Sequence, residues 1–373
     1  MKVLQVGLSY NPGGIESCIM GYYSELLKKG VRFDFVCMYE SLAHEDKIKE
    51  MGGTIHYMAN IKKHPFQFSR QLRELIKKEQ YDIVHVNMLS AANMVPLKVA
   101  HQMKVRRVIA HSHNSSSPGI LRNILHAMNK RRITKYATDY FACSKLAGAW
   151  LFPKEIYKRA DQVQIIHNAI SVDKFSYRED EKAAIVRELQ LQDAWVIGHV
   201  GRFEEQKNHL FLLEVFQEVA RREQDAILLL IGEGERLEAM KDKVSQMHLE
   251  ERVRFLGVRS DVAQLWKGID VFLFPSLFEG LPLVVIEAQA AGVFTILSDS
   301  ITKEVQVTDQ LEFVSLHQSA KEWANVLCKY KERQKSEANN AKIREEFEHA
   351  GYSIEAAGNI LFELYNGEGR YDG

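Results

Sequence analysis

The sequence predicts an α/β protein with two domains, each built on a doubly wound parallel sheet. Short runs rich in Val, Ile and Phe alternate with amphipathic stretches of helical length, as they do in βαβ units. The alternation pauses after residue 165 and resumes at Trp195, and the formal charge changes sign between the two halves. We therefore predict one domain over residues 1–175 and a second, with a helical tail, over residues 176–373.

Five apolar runs are expected to form strands in each domain. In the first domain they are Lys2–Gly7, Phe33–Met38, Asp82–Val86, Val108–His111 and Tyr140–Cys143. In the second they are Trp195–Gly201, Ala226–Gly232, Val253–Gly257, Asp270–Pro275 and Phe294–Ser298. Parallel sheets bind ligands at the carboxyl ends of their strands. Two such sheets are expected to face a central cleft, with the connection between them at Ile165–Arg178.

Composition limits the class of protein further. A chain of 373 residues with 46% apolar and 26% charged residues is expected to fold. Its four widely spaced cysteines predict neither a disulfide framework nor a zinc site. The apolar run at the amino terminus is too short for a signal peptide. Charges and glycines interrupt the apolar region 271–297, which argues against a transmembrane helix there. We expect a cytoplasmic protein that can associate peripherally with the inner face of the cell membrane.

The first predicted strand leads into Asn11-Pro12-Gly13-Gly14, after which a helix is expected. Paired glycines at a helix start let backbone N–H groups approach a phosphate closely. The same pair also suits an ordinary tight turn between a strand and a helix. Neither a G-x-G-x-x-G nor a G-x-x-x-x-G-K-[ST] motif occurs, so dinucleotide and P-loop interpretations lose support.

Two cations, Arg202 and Lys207, follow the first predicted strand of the second domain. Arginine offers a fork of donors and lysine a mobile point charge, and together they suit the oxygens of a diphosphate. An ordinary solvated loop remains the alternative for this segment.

A second loop of the same domain carries Glu279 and Glu287 on either side of a turn that enters a helix. Gly280, Leu281 and Pro282 suit a turn whose amides point outward at the helix start. One carboxylate can then accept hydrogen bonds from sugar hydroxyls and the other from a ribose. The alternative is that both acids only complement the helix dipole.

Together these motifs resemble the retaining GT-B glycosyltransferases of family four, the glycosyl transferases group 1. The resemblance covers nearly the whole chain and is most specific over residues 195–299. His111-Ser112-His113-Asn114 and Ile301-Thr302-Lys303-Glu304 resemble most the bacterial enzymes of exopolysaccharide and capsule biosynthesis. The implied fold is GT-B, with two Rossmann-like domains.

The resemblance also implies the role of each donor-site residue. Arg202 and Lys207 would neutralise the donor diphosphate, and Glu287 would bind the ribose. Glu279 would hold the transferred sugar together with the backbone of Gly280, Leu281 and Pro282. The implied contacts elsewhere are Gly14 with the phosphate or sugar, and Val258 and Arg259 with the nucleobase.

A histidine near the reaction centre is the remaining catalytic candidate alongside Glu279. His113 ends a predicted strand where the family places that histidine, although His111 in the same His-Ser-His segment stays open as an alternative. The connection reads Asn168-Ala169-Ile170-Ser171, whereas the family commonly has Asn-Gly-Ile-Asp. The contribution of that loop is therefore open.

The predicted reaction is transfer of a hexose or N-acetylhexosamine from a nucleotide diphosphate sugar, a UDP-sugar by expectation, to a saccharide or polyprenyl-diphosphate-linked acceptor. The resemblance implies retention of anomeric configuration and favours front-side attack assisted by the leaving phosphate; no residue suggests itself as a carboxylate nucleophile. The chain contains no Asp-x-Asp, so we expect neither a metal nor another cofactor, and no nucleic-acid partner. The alternatives are a nucleotide-sugar epimerase of the same fold and a non-catalytic partner subunit.

Charge also predicts a membrane partner. Residues 1–175 carry a formal charge of +12 and residues 176–373 carry −12. The cations cluster in residues 62–78 and 121–135, and the second stretch also has Ile120, Leu121, Ile124, Leu125 and Met128 at helical spacing. Such a helix suits an anionic membrane surface, but a core-facing stripe with a solvated basic face is equally consistent with either segment taken alone.

Overall fold

The structure, a computed structural model, describes residues 1–11, 13–115, 119–159 and 162–367. Within these ranges the strands are β1 (Lys2–Val6), β2 (Arg32–Cys37), β3 (Thr54–Tyr57), β4 (Ile83–Met88), β5 (Arg107–Ser112), β6 (Asp139–Ala142), β7 (Val163–Ile165), β8 (Trp195–Val200), β9 (Ala226–Ile231), β10 (Val253–Gly257), β11 (Val271–Phe274), β12 (Phe294–Ser298) and β13 (Leu311–Val314).

The helices alternate with these strands along the chain. They are α1 (Gly14–Lys28), α2 (Glu45–Glu50), α3 (Pro65–Glu79), α4 (Val95–Gln102), α5 (Ile120–Lys130), α6 (Ile133–Tyr136), α7 (Lys145–Leu151), α8 (Lys154–Tyr157), α9 (Val172–Phe175), α10 (Glu179–Glu188), α11 (His209–Ala220), α12 (Leu237–Gln246), α13 (Val262–Gly268), α14 (Leu283–Ala290), α15 (Ala320–Cys328), α16 (Asn340–His349) and α17 (Ile354–Asn366). Short 3-10 turns lie at Glu205–Lys207, Lys303–Val305 and Glu337–Asn339.

The chain divides into two compact units, each with one parallel sheet. The first unit comprises Met1–Ile170 and Gly351–Gly373, and its strand order is β3-β2-β1-β4-β5-β6-β7. The second comprises Ser171–Ala350, with the order β10-β9-β8-β11-β12-β13. The prediction of two doubly wound parallel sheets is confirmed. The sequence prediction missed β3, β7 and β13, because these edge strands are only three or four residues long and lack a continuous apolar run.

Both faces of the first sheet are covered by apolar cores. One face packs against α3 and α4 through residues such as Phe68, Leu72 and Leu97. The other packs against α1 and α17 through residues such as Tyr23 and Leu361. Helices on both faces are what a doubly wound sheet requires, and they leave the carboxyl ends of the strands open to loops.

The last helix packs in the first unit, whereas the sequence analysis assigned the helical tail to the second domain. Two glycines allow α17 to approach α1 closely. A Cβ at Gly358 would lie 2.8 Å from Glu25 Cβ, and one at Gly21 would lie 2.8 Å from Ile354 Cδ1. Counted over the two units as they pack, the formal charges are +9 and −9, so the asymmetry is smaller than the linear division indicates.

The second sheet is buried between helices in the same way. Its core includes Leu213 and Phe216 from α11 and Trp323 from α15, and the phenyl ring of Phe211 meets the Trp323 indole edge to face at 5.7 Å. Its strand order reverses between β8 and β11, which are neighbours in the sheet but distant in sequence. Ligands of doubly wound sheets bind at this switch point.

Candidate active site

The loops that follow β8 and β11 meet at the switch point of the second sheet. Lys207, in the 3-10 turn Glu205–Lys207, places Nζ 2.6 Å from Oε1 of Glu279. Both side chains are largely buried, with 16% and 9% of their surfaces exposed, and Lys207 Nζ also lies 4.7 Å from the centre of the Phe274 ring. The structure thus joins two residues that the sequence analysis assigned to different parts of the donor.

Three hydrogen bonds hold the two loops together. Gln206 Nε2 donates to the Phe278 carbonyl at 2.9 Å, and the Leu277 amide donates to the Gln206 carbonyl at 2.8 Å. Asn208, in the left-handed conformation with φ 55°, donates from Nδ2 to the Pro275 carbonyl at 3.2 Å. The sequence analysis gave Gln206 and Asn208 no role. The available signal for Asn208 was its position directly before a helix, because Asn adopts positive φ more readily than most residues.

Close backbone packing fixes the course of the first of these loops. A Cβ at Gly232, where φ is +139°, would lie 2.1 Å from the Gly201 carbonyl oxygen. A Cβ at Gly201 would lie 3.2 Å from Cδ and Cε of Lys207. Lys207 therefore lies against the Gly201 backbone, and a side chain at position 201 would displace it.

The turn before α14 leaves amides for a ligand. Pro282 is the N-cap of α14, and Gly280 and Leu281 precede it. The backbone N–H groups of Gly280 and Leu281 donate no hydrogen bond within the described residues. Glu279 uses only Oε1 in its ion pair, so Oε2 also remains available to a hydroxyl donor. Amides at a helix start and a free carboxylate oxygen together suit phosphate and sugar oxygens and sugar hydroxyls.

Glu287 lies in α14, one turn beyond its start, in an unusually desolvated position. Burial raises the pKa of its carboxyl group to about 7, although part of the side chain remains open to solvent. The nearby Trp266 indole and Lys174 ammonium oppose this rise in pKa by smaller amounts. The indole nitrogen is buried and has no hydrogen-bond acceptor within 3.5 Å in the described structure.

The remaining donor-site candidates of the second unit lie in exposed loops. Arg202 exposes 74% of its side chain and pairs with Glu204 at 2.8 Å. Val258 is exposed after β10, and Arg259 donates to both Glu188 at 2.8 Å and Asp261 at 2.6 Å. The guanidinium of Arg259 is thus already engaged, which leaves Val258 as the more open of the two nucleobase candidates.

Gly14 is the first residue of α1 and is exposed. The carboxylate of Glu16, two residues along the helix, accepts hydrogen bonds from the backbone amide and the hydroxyl of Ser9, at 3.0 and 2.9 Å. This acid already complements the positive end of the helix. The phosphate contact implied for Gly14 stays a prediction.

His113 follows β5 at the carboxyl edge of the first sheet and is buried. Its Nε2 lies 2.9 Å from Oδ1 of Asn87, whereas its Nδ1 is buried without a hydrogen-bond partner in the described part of the chain. Burial lowers the pKa of His113 to about 4, and the neighbouring Asn168 raises it by a smaller amount without forming a hydrogen bond to Nδ1. His113 is therefore a neutral imidazole at physiological pH.

His111, the alternative candidate, lies deeper in the same sheet. Its Nδ1 is 2.9 Å from Nε2 of His85, and its ring centre is 4.0 Å from that of His113. Desolvation lowers the pKa of His111 as well. Only 2% of its surface is exposed, against 9% for His113, which makes His113 the more accessible of the two to a substrate.

The two basic stretches of the first unit differ in how they pack. In α3 the apolar residues Phe68, Leu72 and Ile76 are buried, so the core-facing interpretation holds there. In α5 it is wrong. The apolar stripe Ile120, Leu121, Ile124, Leu125 and Met128 is exposed, from 39% at Leu125 to 82% at Ile120, and His126 is the buried residue of this helix.

Polar contacts hold α5 to the first unit with that stripe outward. His126 accepts a hydrogen bond from the Ala91 amide at 3.1 Å and stacks on Trp150, with ring centres 4.1 Å apart. Arg122 Nε donates to the Ser90 hydroxyl at 3.2 Å. Across the described ranges, every helix falls short of the length and apolar character that a membrane-spanning segment needs. The same residues contain no group of three or more His, Cys, Asp or Glu side chains placed to hold a metal ion.

Each α/β unit has one doubly wound parallel sheet, and the second has a buried cation–carboxylate pair at the switch point, where proteins of this class commonly bind their ligands. Comparison with known proteins gives the family. The model for Glycosyltransferase Family 4 matches residues 12–174, and that for Glycosyl transferases group 1 matches residues 181–351.

Relatives matched over most of the chain agree with these family assignments. EpsF of Bacillus subtilis (strain 168), named as a glycosyltransferase, is 32% identical over 98% of this chain and 96% of its own. The capsular polysaccharide biosynthesis glycosyltransferase CapH of Staphylococcus aureus is 26% identical, over 90% of this chain and 92% of its own. An Escherichia coli UDP-Gal:α-D-GlcNAc-diphosphoundecaprenol α-1,3-galactosyltransferase is 28% identical over 61% of this chain and 60% of its own.

A solved structure shares the fold. Anabaena HepE in complex with UDP superimposes with a TM-score of 0.79 at 16% identity, over 98% of this chain and 100% of its own. The chain belongs to the group 1 and family 4 glycosyltransferases and has the GT-B fold. The predicted resemblance to bacterial exopolysaccharide and capsule enzymes is confirmed.

Proposed function

We propose that this glycosyltransferase retains anomeric configuration and transfers a hexose or N-acetylhexosamine from a UDP-sugar to a saccharide or lipid-linked acceptor in surface polysaccharide synthesis. The observation that carries the proposal is the Lys207–Glu279 pair at the β8/β11 switch point. The UDP donor is supported by the UDP complex of HepE, and the lipid-linked acceptor by the name of the Escherichia coli relative.

One ion pair can serve both ends of the bond that breaks. Lys207 has N–H donors beyond the one used by Glu279, and these suit an oxygen of the diphosphate. Oε2 of Glu279 can accept a hydroxyl of the transferred sugar. As the anomeric C–O bond lengthens, negative charge grows on the diphosphate, and Lys207 and Arg202 stabilise it.

Front-side attack accounts for retention without a carboxylate nucleophile. The acceptor hydroxyl oxygen forms the new bond to the anomeric carbon on the face from which the diphosphate leaves. Its proton passes to the departing phosphate oxygen, so atoms and charge balance. Lys207 and Arg202 would stabilise the charge on the departing diphosphate, as a divalent metal ion does in other enzymes. We therefore propose that transfer proceeds without a metal ion.

The purified chain tests the activity directly. Incubation with a panel of UDP-sugars, with and without EDTA, is expected to give thermal stabilisation by one donor and slow hydrolysis of that donor in either condition. A released sugar of retained configuration, followed by NMR, supports the mechanism. Conversion into an epimeric UDP-sugar would instead indicate an epimerase. Binding of a UDP-sugar without any turnover, with or without the acceptor GlcNAc-diphosphoundecaprenol, would indicate a partner subunit.

We further propose that α5 docks the enzyme on an anionic membrane. Its exposed apolar stripe lies in a region, residues 83–138, that contains no Asp or Glu and nine Lys or Arg residues. An apolar helix face beside cations is what an interfacial helix presents, and each cation near an anionic surface contributes about 1 kcal/mol. A lipid-linked acceptor would then be reached at the surface where it resides.

Vesicle sedimentation tests this docking. Binding is expected to vesicles of phosphatidylcholine with phosphatidylglycerol, to weaken with salt, and to be lost in the double variant Leu121→Ser/Ile124→Ser. Leu210→Ser is the control, because Leu210 is also an exposed leucine but lies in the second unit. Equal binding to neutral and anionic vesicles, or unchanged binding of the double variant, would exclude α5 as the docking element.

A further inference from the structure

A closed group of polar side chains lies behind His113 within the first unit. Asn87 Nδ2 donates to Gln5 Oε1 at 3.0 Å and to the Val6 carbonyl at 3.3 Å, while Asn87 Oδ1 lies 2.9 Å from His113 Nε2. Asn87 and Gln5 are both buried, with 7% and 2% of their surfaces exposed. The proposed function assigns no role to either residue.

The Val6 carbonyl fixes the direction of every bond in this branch. A carbonyl can only accept, so the group of Asn87 that faces it is the amide nitrogen and not the amide oxygen. Oδ1 therefore faces His113 and can only accept in turn. His113 Nε2 must carry a proton, and in the neutral ring Nδ1 then carries none.

A second branch supports the same arrangement. Gln5 Nε2 donates weakly, at 3.4 Å, to the Tyr365 hydroxyl, which lies 2.7 Å from His85 Nδ1. The phenol oxygen accepts a hydrogen bond from Gln5, and its own O–H can donate to His85 Nδ1. Because Asn87 presents Nδ2 to Gln5, the Gln5 oxygen faces Asn87, and its nitrogen is the atom that remains for Tyr365. The two branches are consistent with one set of proton positions.

We propose that Asn87 is a positioning residue that fixes His113 as the tautomer with a bare Nδ1, so that His113 accepts a hydrogen bond from a saccharide hydroxyl and does not deliver a proton. The proposal rests on the proposed function for the identity of the saccharide. It is motivated by the buried Nδ1, which has no partner among the described residues and lies at the carboxyl edge of the sheet. A hydroxyl group is the donor that a saccharide offers to such an atom.

Nitrogen NMR tests the tautomer without any need for turnover. In protein labelled with 15N-histidine, His113 is expected to show a protonated Nε2 and an unprotonated Nδ1 at neutral pH, assigned by the signals lost in His113→Gln. A protonated Nδ1 would overturn the proposal even if the enzyme transfers sugar as proposed. Conversely, an unprotonated Nδ1 in a protein without transferase activity would leave the tautomer in place and remove its proposed partner.

Asn87→Asp tests the positioning role. The carboxylate would accept from Nε2–H and favour the imidazolium, so Nδ1 would gain a proton and become a donor. As the His113 pKa rises toward the neutral range, hydrolysis at saturating donor is expected to fall about tenfold between about pH 8 and about pH 6, a fall that the unmodified enzyme does not show once donor binding is saturated. An unaltered pH profile in a folded Asn87→Asp protein would overturn the proposal.

Two further variants separate positioning from folding. Asn60→Asp introduces the same charge in a loop of the first unit and is expected to keep the pH profile of the unmodified enzyme. If Asn87→Asp fails to fold, Asn87→Ser is substituted. The serine side chain is too short to contact both Gln5 and His113, so His113 is expected to show a mixture of both tautomers in the 15N spectrum. A pure Nε2–H tautomer in that variant would show that Asn87 does not set it.

Discussion

Lys207 and Glu279 form an ion pair with a 2.6 Å N···O distance between the loops after β8 and β11. These loops are 72 residues apart in sequence. The pair is well shielded from solvent, so removing one partner leaves a desolvated charge behind. That relationship governs what substitutions at this site are expected to do.

Lys207→Ala is expected to lower kcat/KM for donor hydrolysis by tenfold to a hundredfold or more, because a charge-assisted contact to a phosphate contributes roughly 1.5–3 kcal/mol. Arg202→Ala is expected to reduce turnover strongly as well. Lys331→Ala is the matched control, since Lys331 also pairs with two carboxylates in the second unit, Glu223 and Asp225. Unchanged kinetics for Lys207→Ala, or an equal loss in the control, would remove the diphosphate assignment.

Glu279 and Glu287 are expected to separate catalysis from nucleotide binding. Glu279→Ala should reduce turnover more than UDP affinity, because its free oxygen is assigned to the transferred sugar. Glu287→Ala should weaken UDP itself, because its carboxylate is assigned to the ribose. Isothermal titration with UDP, set beside hydrolysis rates, measures both effects. The reverse order would mean that the two roles are exchanged.

The raised pKa of Glu287 makes donor affinity depend on pH. Burial raises this pKa to about 7, so the carboxyl is protonated below and ionised above that value. An ionised carboxylate accepts two ribose hydroxyls, whereas the protonated form accepts less well. Affinity for the UDP-sugar is therefore expected to strengthen as pH rises through 7. Calorimetry at several pH values checks this, with Glu287→Gln expected to give a flat dependence.

Acid is expected to destabilise the first unit through its buried histidines. Burial lowers the pKa of His85 to about 3 and that of His113 to about 4, from 6.5 in the unfolded chain. Between those values the unfolded state binds more protons. The stabilisation is thus fully present above pH 6.5 and is lost as pH falls, by about 1.4 kcal/mol per pH unit for each group.

Urea denaturation at several pH values measures this loss. Trp150 is the one tryptophan of the four that lies in the first unit, so 19F-labelled tryptophan reports each unit separately. In His113→Gln the fall in the free energy of unfolding with pH is expected to be shallower, because one group no longer titrates. An equally steep fall in that variant would show that His113 is already solvated in the native state.

The sequence by itself determined the features that depend on local patterns. The two parallel sheets follow from apolar runs that alternate with amphipathic stretches. The prediction of Arg202, Lys207, Glu279 and Glu287 as donor-site residues rests on the loops after such runs, which carry the ligands of doubly wound sheets. Short edge strands such as β7 were not predicted, because the hydrophobic pattern of three residues does not distinguish a strand from a loop.

Only the tertiary structure decided which residues meet. Nothing in the order of residues places α17 beside α1, where Gly358 allows contact with Glu25, or turns the apolar stripe of α5 to solvent while that of α3 is buried. The same holds for Asn87 behind His113 and for Lys207 against Glu279. Periodicity specifies which side of an element is apolar, but the surface that this side meets is set by packing over long sequence separations. That packing alone determines which groups are desolvated and which polar atoms are left for a substrate.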